Sequence, residues 1–241
     1  MPAHFLLGPA GSGKTFRCLA EIRAELGRSP EGAPLVLLAP KQATFQLERQ
    51  LLSERALPGY VRLRILSFER LARFVFGQLG RPWPQLLAEE GRVMVLRALL
   101  AQRQRELELF RASARLPGFA QELSKLLREL QQHHLTAGRL EDLAQRVQDE
   151  PTLGRKLRDL ARLWRAYQEW LAARHLQDAD SLLTLAADEL HAAARLAPSA
   201  FRVAGLWLDG FAQMTPQERR LLAALVPCCE RATLAFCLES E

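Results

Sequence analysis

Short apolar runs and longer stretches of helical period alternate along the first eighty residues. His4-Phe5-Leu6-Leu7, then Leu35-Val36-Leu37-Leu38-Ala39, are continuous apolar runs of strand length. Val61, Leu63 and Ile65 alternate with Arg62 and Arg64, the period-2 signature of a third strand. Between them the period changes. Thr15 to Leu26 reads as a helix stopped by Gly27, and residues 43–56 as a helix with Leu47 and Leu51 on one face. Ser67 is placed to cap a helix from Phe68 to Gln78. The connections are Arg28 to Pro34, Pro40 and Pro58-Gly59, all rich in turn residues. Strand–helix order with strands apolar on both faces predicts a three-layer α/β fold around a parallel sheet.

The pattern changes at Gly80-Arg81-Pro82-Trp83-Pro84. From 85 to about 196 the periodicity is helical, with no strand predicted and helices expected at 86–101, 103–113, 117–133, 138–148, 153–175 and 179–195. Trp164, Tyr167 and Trp170 recur every third residue there, which is the spacing of a helix core. His133-His134 has no further metal-ligand type close by in sequence. The α/β pattern then returns. Phe201 to Leu208 is a strand closing on Asp209, and Thr215-Pro216-Gln217-Glu218 combines an N-cap, a first-turn proline and a capping-box glutamate. That helix ends before Pro227, and Ala232 to Cys237 is a last strand. The expected organisation is a discontinuous α/β domain, 1–80 and 199–241, with an all-helical insertion over 81–198.

One loop in this pattern carries chemistry. Gly8-Pro9-Ala10-Gly11-Ser12-Gly13-Lys14-Thr15 satisfies G-x-x-x-x-G-K-[ST] between a strand and a helix. Glycines bring backbone N–H groups close to phosphate oxygens, and the following helix points its positive end at them. Lys14 is expected between the β- and γ-phosphates, and the Thr15 hydroxyl on Mg²⁺. Asp209, at the carboxyl end of its strand, is placed to hold the same Mg²⁺. Lys14 and Asp209 are thus the candidate catalytic pair and residues 8–15 the ATP-binding loop. In motor ATPases the residue after this aspartate is usually a glutamate that positions the attacking water; here it is Gly210. Without that carboxylate the site is expected to bind Mg-ATP and to hydrolyse it weakly.

Composition narrows the classes. The chain has 241 residues, 49% hydrophobic and 25% charged, as for one large or two small globular domains. No run is long and apolar enough for a membrane span, and no signal peptide is visible, so the cytoplasm is the expected location. Cys18, Cys228, Cys229 and Cys237 lack the spacing of a zinc site or an iron–sulfur cluster. The net charge of +6 is concentrated in residues 1–75, which carry 11 basic and 6 acidic side chains, a balance that suits nucleic acid.

With these residues assembled, the chain resembles the N-terminal part of the AddB family, a subunit of bacterial helicase–nucleases. The resemblance rests on the stretch from His4 to Thr15, on Pro40-Lys41-Gln42-Ala43-Thr44-Phe45-Gln46-Leu47-Glu48 and on Leu66-Ser67-Phe68-Glu69-Arg70-Leu71. Leu116-Pro117-Gly118-Phe119, Leu208-Asp209-Gly210-Phe211 and Thr215 to Glu218 follow in order. It implies a RecA-like phosphate-loop domain, domain 1A of a superfamily 1 helicase, with the helical block as a 1B-like insertion. It also implies single- or double-stranded DNA as substrate and an AddA-like helicase–nuclease subunit as partner in double-strand break repair. By the same analogy Thr44, Phe45, Ser67 and Phe68 are candidate DNA contacts. Gly210 is similar to the family's own pattern. The adenine-reading glutamine of superfamily 1 helicases is not expected here, nor are the family's nuclease carboxylates and iron–sulfur cluster. Two other readings stand beside this one: a nucleotide-gated structural or recognition scaffold, and a phosphate-loop kinase of small molecules.

Overall fold

The computed structural model describes residues 3–53, 59–147, 149–197 and 199–238. The chain divides into two units, one of residues 1–83 and 183–241, the other of residues 84–182. Strands β1 (Ala3–Gly8), β2 (Leu35–Leu38) and β3 (Leu63–Leu66) belong to the first unit, with helices α1 (Lys14–Arg28), α2 (Thr44–Leu52) and α3 (Phe68–Gln78). The second unit holds β4 (Leu86–Leu87), α4 (Glu89–Arg103), α5 (Phe119–Gln132), α6 (Ala137–Arg146), α7 (Pro151–Ala172) and β5 (Gln177–Asp178). Helix α8 (Leu182–Leu196), strand β6 (Gly205–Leu208), helix α9 (Pro216–Leu225) and strand β7 (Ala232–Cys237) complete the first.

The five strands of the first unit form a wholly parallel sheet in the order β1-β7-β6-β2-β3. Strands β2 and β6 are buried at every position, as expected of central strands with helices on both faces. One face is packed by Cys18, Leu19, Ile22 and Leu26 of α1 and by Leu47 and Leu51 of α2, against Leu35, Leu37, Leu63, Trp207 and Ala235. Right-handed crossovers account for this. The connections β1–β2 and β2–β3 run one way along the sheet and share a face, while β6–β7 runs back and places α9 on the other face. The order therefore reverses between the carboxyl ends of β1 and β6, where open α/β sheets keep their ligand crevice.

Local signals formed the elements they predicted. The Ser67 side chain accepts from Arg70 N–H at the start of α3. Thr215 and Glu218 close the reciprocal capping box of α9, with Pro216 in the first turn. Helix α1 runs on through Gly27 to Arg28, and α2 spans Thr44–Leu52 between Ala43 and Ser53 as its caps, while residues 54–56 of the helix expected over 43–56 lie outside the described residues. Pro58 and Pro198 also lie outside them.

The helical unit differs from expectation in two respects. The helix expected over 103–113 is replaced by 3-10 turns at Gln104–Glu106 and Ser113–Arg115. The cause is Asp159 on α7, whose buried carboxylate accepts from the N–H groups of Glu108, Leu109 and Phe110 at 3.0, 2.8 and 2.9 Å. Those amides are no longer donors for a helix. The expectation of no strand also fails, because β4 and β5 pair in parallel. Their junction is fixed by buried Arg92, which donates to Ser124, Asp178 and Asp180, and by Tyr167, whose hydroxyl donates to Asp178 at 2.7 Å. Trp164 and Tyr167 are buried in the core of this unit. Helix α8, expected within the insertion, falls almost wholly in the α/β unit, so the second unit is 84–182 rather than 81–198.

Candidate nucleotide-binding site

Helix α1 begins directly from the glycine-rich loop. Its N-cap is Gly13 at φ 84°, a left-handed conformation that a side chain would strain. That turn lets the loop fold back over the helix N-terminus, where the first amides have no partner within the helix. Lys14 closes the loop. Its Nζ donates to Gly8 O at 2.9 Å, Pro9 O at 2.8 Å and Ser12 Oγ at 3.2 Å.

Thr15 faces the other way. Its Oγ1 donates to Asp209 Oδ2 at 2.6 Å, joining positions 194 apart in sequence. Asp209 is 6% exposed, and its own N–H donates to Leu38 O at 3.0 Å, so the β6–β2 pairing continues through it and fixes its carboxylate. A cavity of about 410 Å³ lies here, lined by Ala10 to Thr15, Asp209 to Ala212, Ala235 and Cys237. The carboxyl ends of β1, β6 and β7 thus converge on one crevice at the reversal of strand order.

The donor set fits a magnesium–nucleotide complex. A hydroxyl and a carboxylate oxygen in contact are hard oxygen ligands, and Mg²⁺ bound by one or two such groups completes its octahedron with phosphate oxygens and water. When bound, the ion would neutralise phosphate charge as the terminal P–O bond breaks.

Glu21 holds this geometry and was not foreseen from the sequence. Its Oε2 accepts from Trp207 Nε1 and from Thr233 Oγ1, each at 3.0 Å, tying α1 to both β6 and β7. Trp207 stands two residues before Asp209, so these bonds set the distance between Thr15 and Asp209. Burial pushes the Glu21 carboxyl up, but donation from Trp207, Thr233 and Arg17 outweighs it and holds the carboxyl below its ordinary value. The available signal was an acid on the apolar side of α1, one residue before Ile22. Cys18, one turn below, is buried, and burial with Asp209 and Glu21 nearby pushes its thiol up to about 12.

Gly210 has φ 81°, and a Cβ built there would lie 3.3 Å from Pro40 Cδ. The position that motor ATPases give to glutamate is therefore both left-handed and closed on one side. Next to it, the ring of Phe211 packs edge-on against Phe68, with centroids 5.2 Å apart.

The four candidate DNA contacts divide. Phe68 is only 3% exposed, which leaves no ring face for a base, and Ser67 is engaged as the α3 cap. Phe45 is 71% exposed on the first turn of α2, and the half-buried Thr44 donates to Lys41 O at 3.0 Å. Thr44 and Phe45 line a shallow groove with Tyr60, Arg64 and Arg70, which sets two guanidinium groups beside an exposed ring. Among the described residues no group of three or more His, Cys, Asp or Glu is arranged to hold a metal, and no helix is long and apolar enough to cross a membrane.

Residues 5–241 match the family described as AddB, N-terminal. The chain is similar to the ATP-dependent helicase/deoxyribonuclease B subunit of Moorella thermoacetica, 40% identical over 99% of this chain and 21% of that protein. It is similar in the same degree to the protein of that name from Heliobacterium modesticaldum, 40% identical over 99% of this chain and 19% of the relative. The chain spans about a fifth of the length of these curated relatives.

Proposed function

We propose that this chain, which belongs to the AddB N-terminal family, is the Mg-ATP-binding, DNA-contacting front of a helicase–nuclease subunit that processes DNA breaks for repair. The relatives are named as B subunits of an ATP-dependent helicase/deoxyribonuclease, and that name supports a partner, which we take to be AddA-like. The reading treats the α/β unit as a RecA-like phosphate-loop domain and the helical unit as its 1B-like insertion. The observation that carries it is the 2.6 Å contact of Thr15 with Asp209 beside the Lys14 loop.

In this reading the loop amides and Lys14 grip the phosphates, and Thr15 and Asp209 hold the metal. Glu21 keeps α1 in register with β6, and Phe45 with Thr44, Arg64 and Arg70 contacts single-stranded DNA by stacking and charge. Hydrolysis is weak, because no carboxylate follows Asp209 to orient water. A nucleotide-gated scaffold is the second reading, and the left-handed backbone of Gly210 favours it.

Calorimetric titration of Mg-ATP into wild type and Lys14→Ala tests the site, followed by ATPase assays with and without single-stranded DNA. Binding that weakens by about tenfold or more in Lys14→Ala supports the grip assigned to it. Equal binding by both proteins refutes it. DNA-stimulated turnover favours the motor reading, and binding without turnover favours the scaffold.

A further inference from the structure

Helix α1 buries its large apolar residues with one exception. Cys18, Leu19, Ile22 and Leu26 are buried, while Phe16 is 69% exposed on the first turn. A single exposed apolar side chain is ordinary on a protein surface. This one matters for its place, directly after the Lys14-Thr15 pair of the phosphate loop.

The first amide of α1 that is bonded back along the chain is that of Arg17, which donates to Gly13 O at 2.9 Å. The amides of Lys14, Thr15 and Phe16 come before it and point out of the helix end. Thr15 meets Asp209 on the sheet side, and Lys14 is folded onto the loop carbonyls. In the proposed Mg-ATP site these groups take the metal and the terminal phosphates. The phosphate next to the ribose then comes to the last free amide, that of Phe16, and the nucleoside leaves over the open side of the first turn. Successive helical side chains stand about 100° apart, which sets the Phe16 ring beside Thr15 on that open side. Arg17 is exposed there too, but its Nε donates to Glu21 Oε1 at 3.3 Å, one turn further along the helix. The arginine is thus drawn back from the loop and leaves the ring uncovered.

We infer that Phe16 is the base platform of the nucleotide site, its ring stacking on the base of a bound nucleoside triphosphate. The inference rests on the proposed Mg-ATP site and adds the class of ligand. A phenyl ring has no hydrogen-bond donor or acceptor, so it grips the face of a base and does not read its edge. Such stacking is tolerant because every base has a π-face. Strong rejection of an analogue needs polar groups of the site left unpaired. Among the described residues that line the cavity, the polar side chains of Ser12, Lys14, Thr15 and Asp209 are engaged with one another, and the rest are glycine, alanine, phenylalanine and one cysteine. The site therefore takes purine nucleoside triphosphates with little preference between adenine and guanine. Pyrimidine nucleotides bind less well, because a single ring covers less of the phenyl.

Calorimetric titration of the full-length subunit tests this, with Lys14→Ala as the baseline for nucleotide bound elsewhere. Phe16→Ala should weaken Mg-ATP binding by about tenfold and leave Mg-tripolyphosphate, which has no base, unchanged. Phe16→Trp should keep the binding that Phe16→Ala loses. Wild type should bind Mg-GTP within about threefold of Mg-ATP, and Mg-CTP less tightly than either. Equal binding of Mg-ATP by wild type and Phe16→Ala overturns the inference. So does an equal loss for tripolyphosphate, which places the effect in the loop and not at the base. A preference of about a hundredfold for Mg-ATP over Mg-GTP overturns the tolerance. Wild type that binds tripolyphosphate as tightly as Mg-ATP refutes this inference alone. Wild type that binds neither refutes the phosphate site and this inference with it.

Discussion

Restoring the missing glutamate by Gly210→Glu should destabilise the domain without giving it a working hydrolytic site. The structure supplies two costs. A side chain at φ 81° meets the left-handed penalty of about 1–2 kcal/mol. The new Cβ also lies 3.3 Å from Pro40 Cδ, a contact that a proline ring relieves only by moving its own backbone. Together they predict a loss of about 1–3 kcal/mol. In a chain of this size each kcal/mol lowers the melting temperature by about 2–4 °C. Gly210→Ala should lose nearly as much, since the cost arises at Cβ, and it separates backbone strain from the effect of the carboxylate. A well-placed base is worth about 10²–10⁴ in rate, but a carboxylate carried on this backbone does not start from the extended end of a strand. We therefore expect Gly210→Glu to raise single-turnover Mg-ATP hydrolysis by less than about tenfold, well short of that range. Thermal unfolding of the three proteins and single-turnover assays decide the matter. A Gly210→Glu protein as stable as wild type would refute the strain argument. A gain of about 10² or more in turnover would refute the claim that backbone conformation, and not the absent side chain alone, sets the slow hydrolysis we propose.

Other expectations follow from burial and charge. Phe45→Ala should weaken single-stranded DNA binding by about 1–3 kcal/mol in a fluorescence titration and leave thermal unfolding unchanged. Phe68→Ala should do the reverse, losing about 3–5 kcal/mol of stability in urea because it empties a core position against Phe211. Cys237 is exposed on the wall of the cavity beside Lys14 and Thr15 and should be the cysteine that maleimide labels fastest, with Mg-ATP slowing it if the proposed site is right. Cys18, pushed up to about 12 by burial, should stay unmodified in the native protein at neutral pH by mass spectrometry. The Glu21 carboxyl sits below its ordinary value of 4.5, so its contribution to stability is present above that pH and is lost as pH falls through the folded value. Urea midpoints measured on the acid side should fall less steeply for Glu21→Gln than for wild type.

How much of this was legible in the sequence depended on the range of each interaction. The caps at Ser67 and Thr215 could be read because donor and acceptor lie three residues apart. The phosphate loop could be read because its glycines, lysine and threonine act within one turn of chain. The helix expected over 103–113 was misread because the group that claims its amides, Asp159, comes some fifty residues later. Strands β4 and β5 are two residues each, too short for any period, and exist through Arg92 and Tyr167. Ser67 and Phe68 illustrate the same limit within the site. Their types suit both a DNA contact and a helix start, and only the ring of Phe211, supplied from the end of β6, places Phe68 in the core.

The geometry of Lys14 bears on how the proposed site would bind nucleotide well and turn it over slowly. Three hydrogen bonds to its own loop keep the loop closed around the space a phosphate needs. Phosphate binding would therefore exchange the ammonium's bonds to two carbonyls and a hydroxyl for contacts with an anion, adding charge–charge attraction to the hydrogen bonds. The loop has little freedom left to lose in that exchange, so less of the gain is spent on ordering it. On the opposite wall Thr15 and Asp209 are already in contact, with Glu21 fixing the helix that carries one to the strand that precedes the other. On the proposed reading this preorganisation is directed at the ground-state nucleotide. The residue after Asp209, where motor ATPases carry a glutamate for the attacking water, is Gly210 with a left-handed backbone. Binding the nucleotide firmly without favouring its transition state lowers the dissociation constant and leaves the rate unchanged. On the proposed reading the site would therefore hold ATP rather than turn it over quickly.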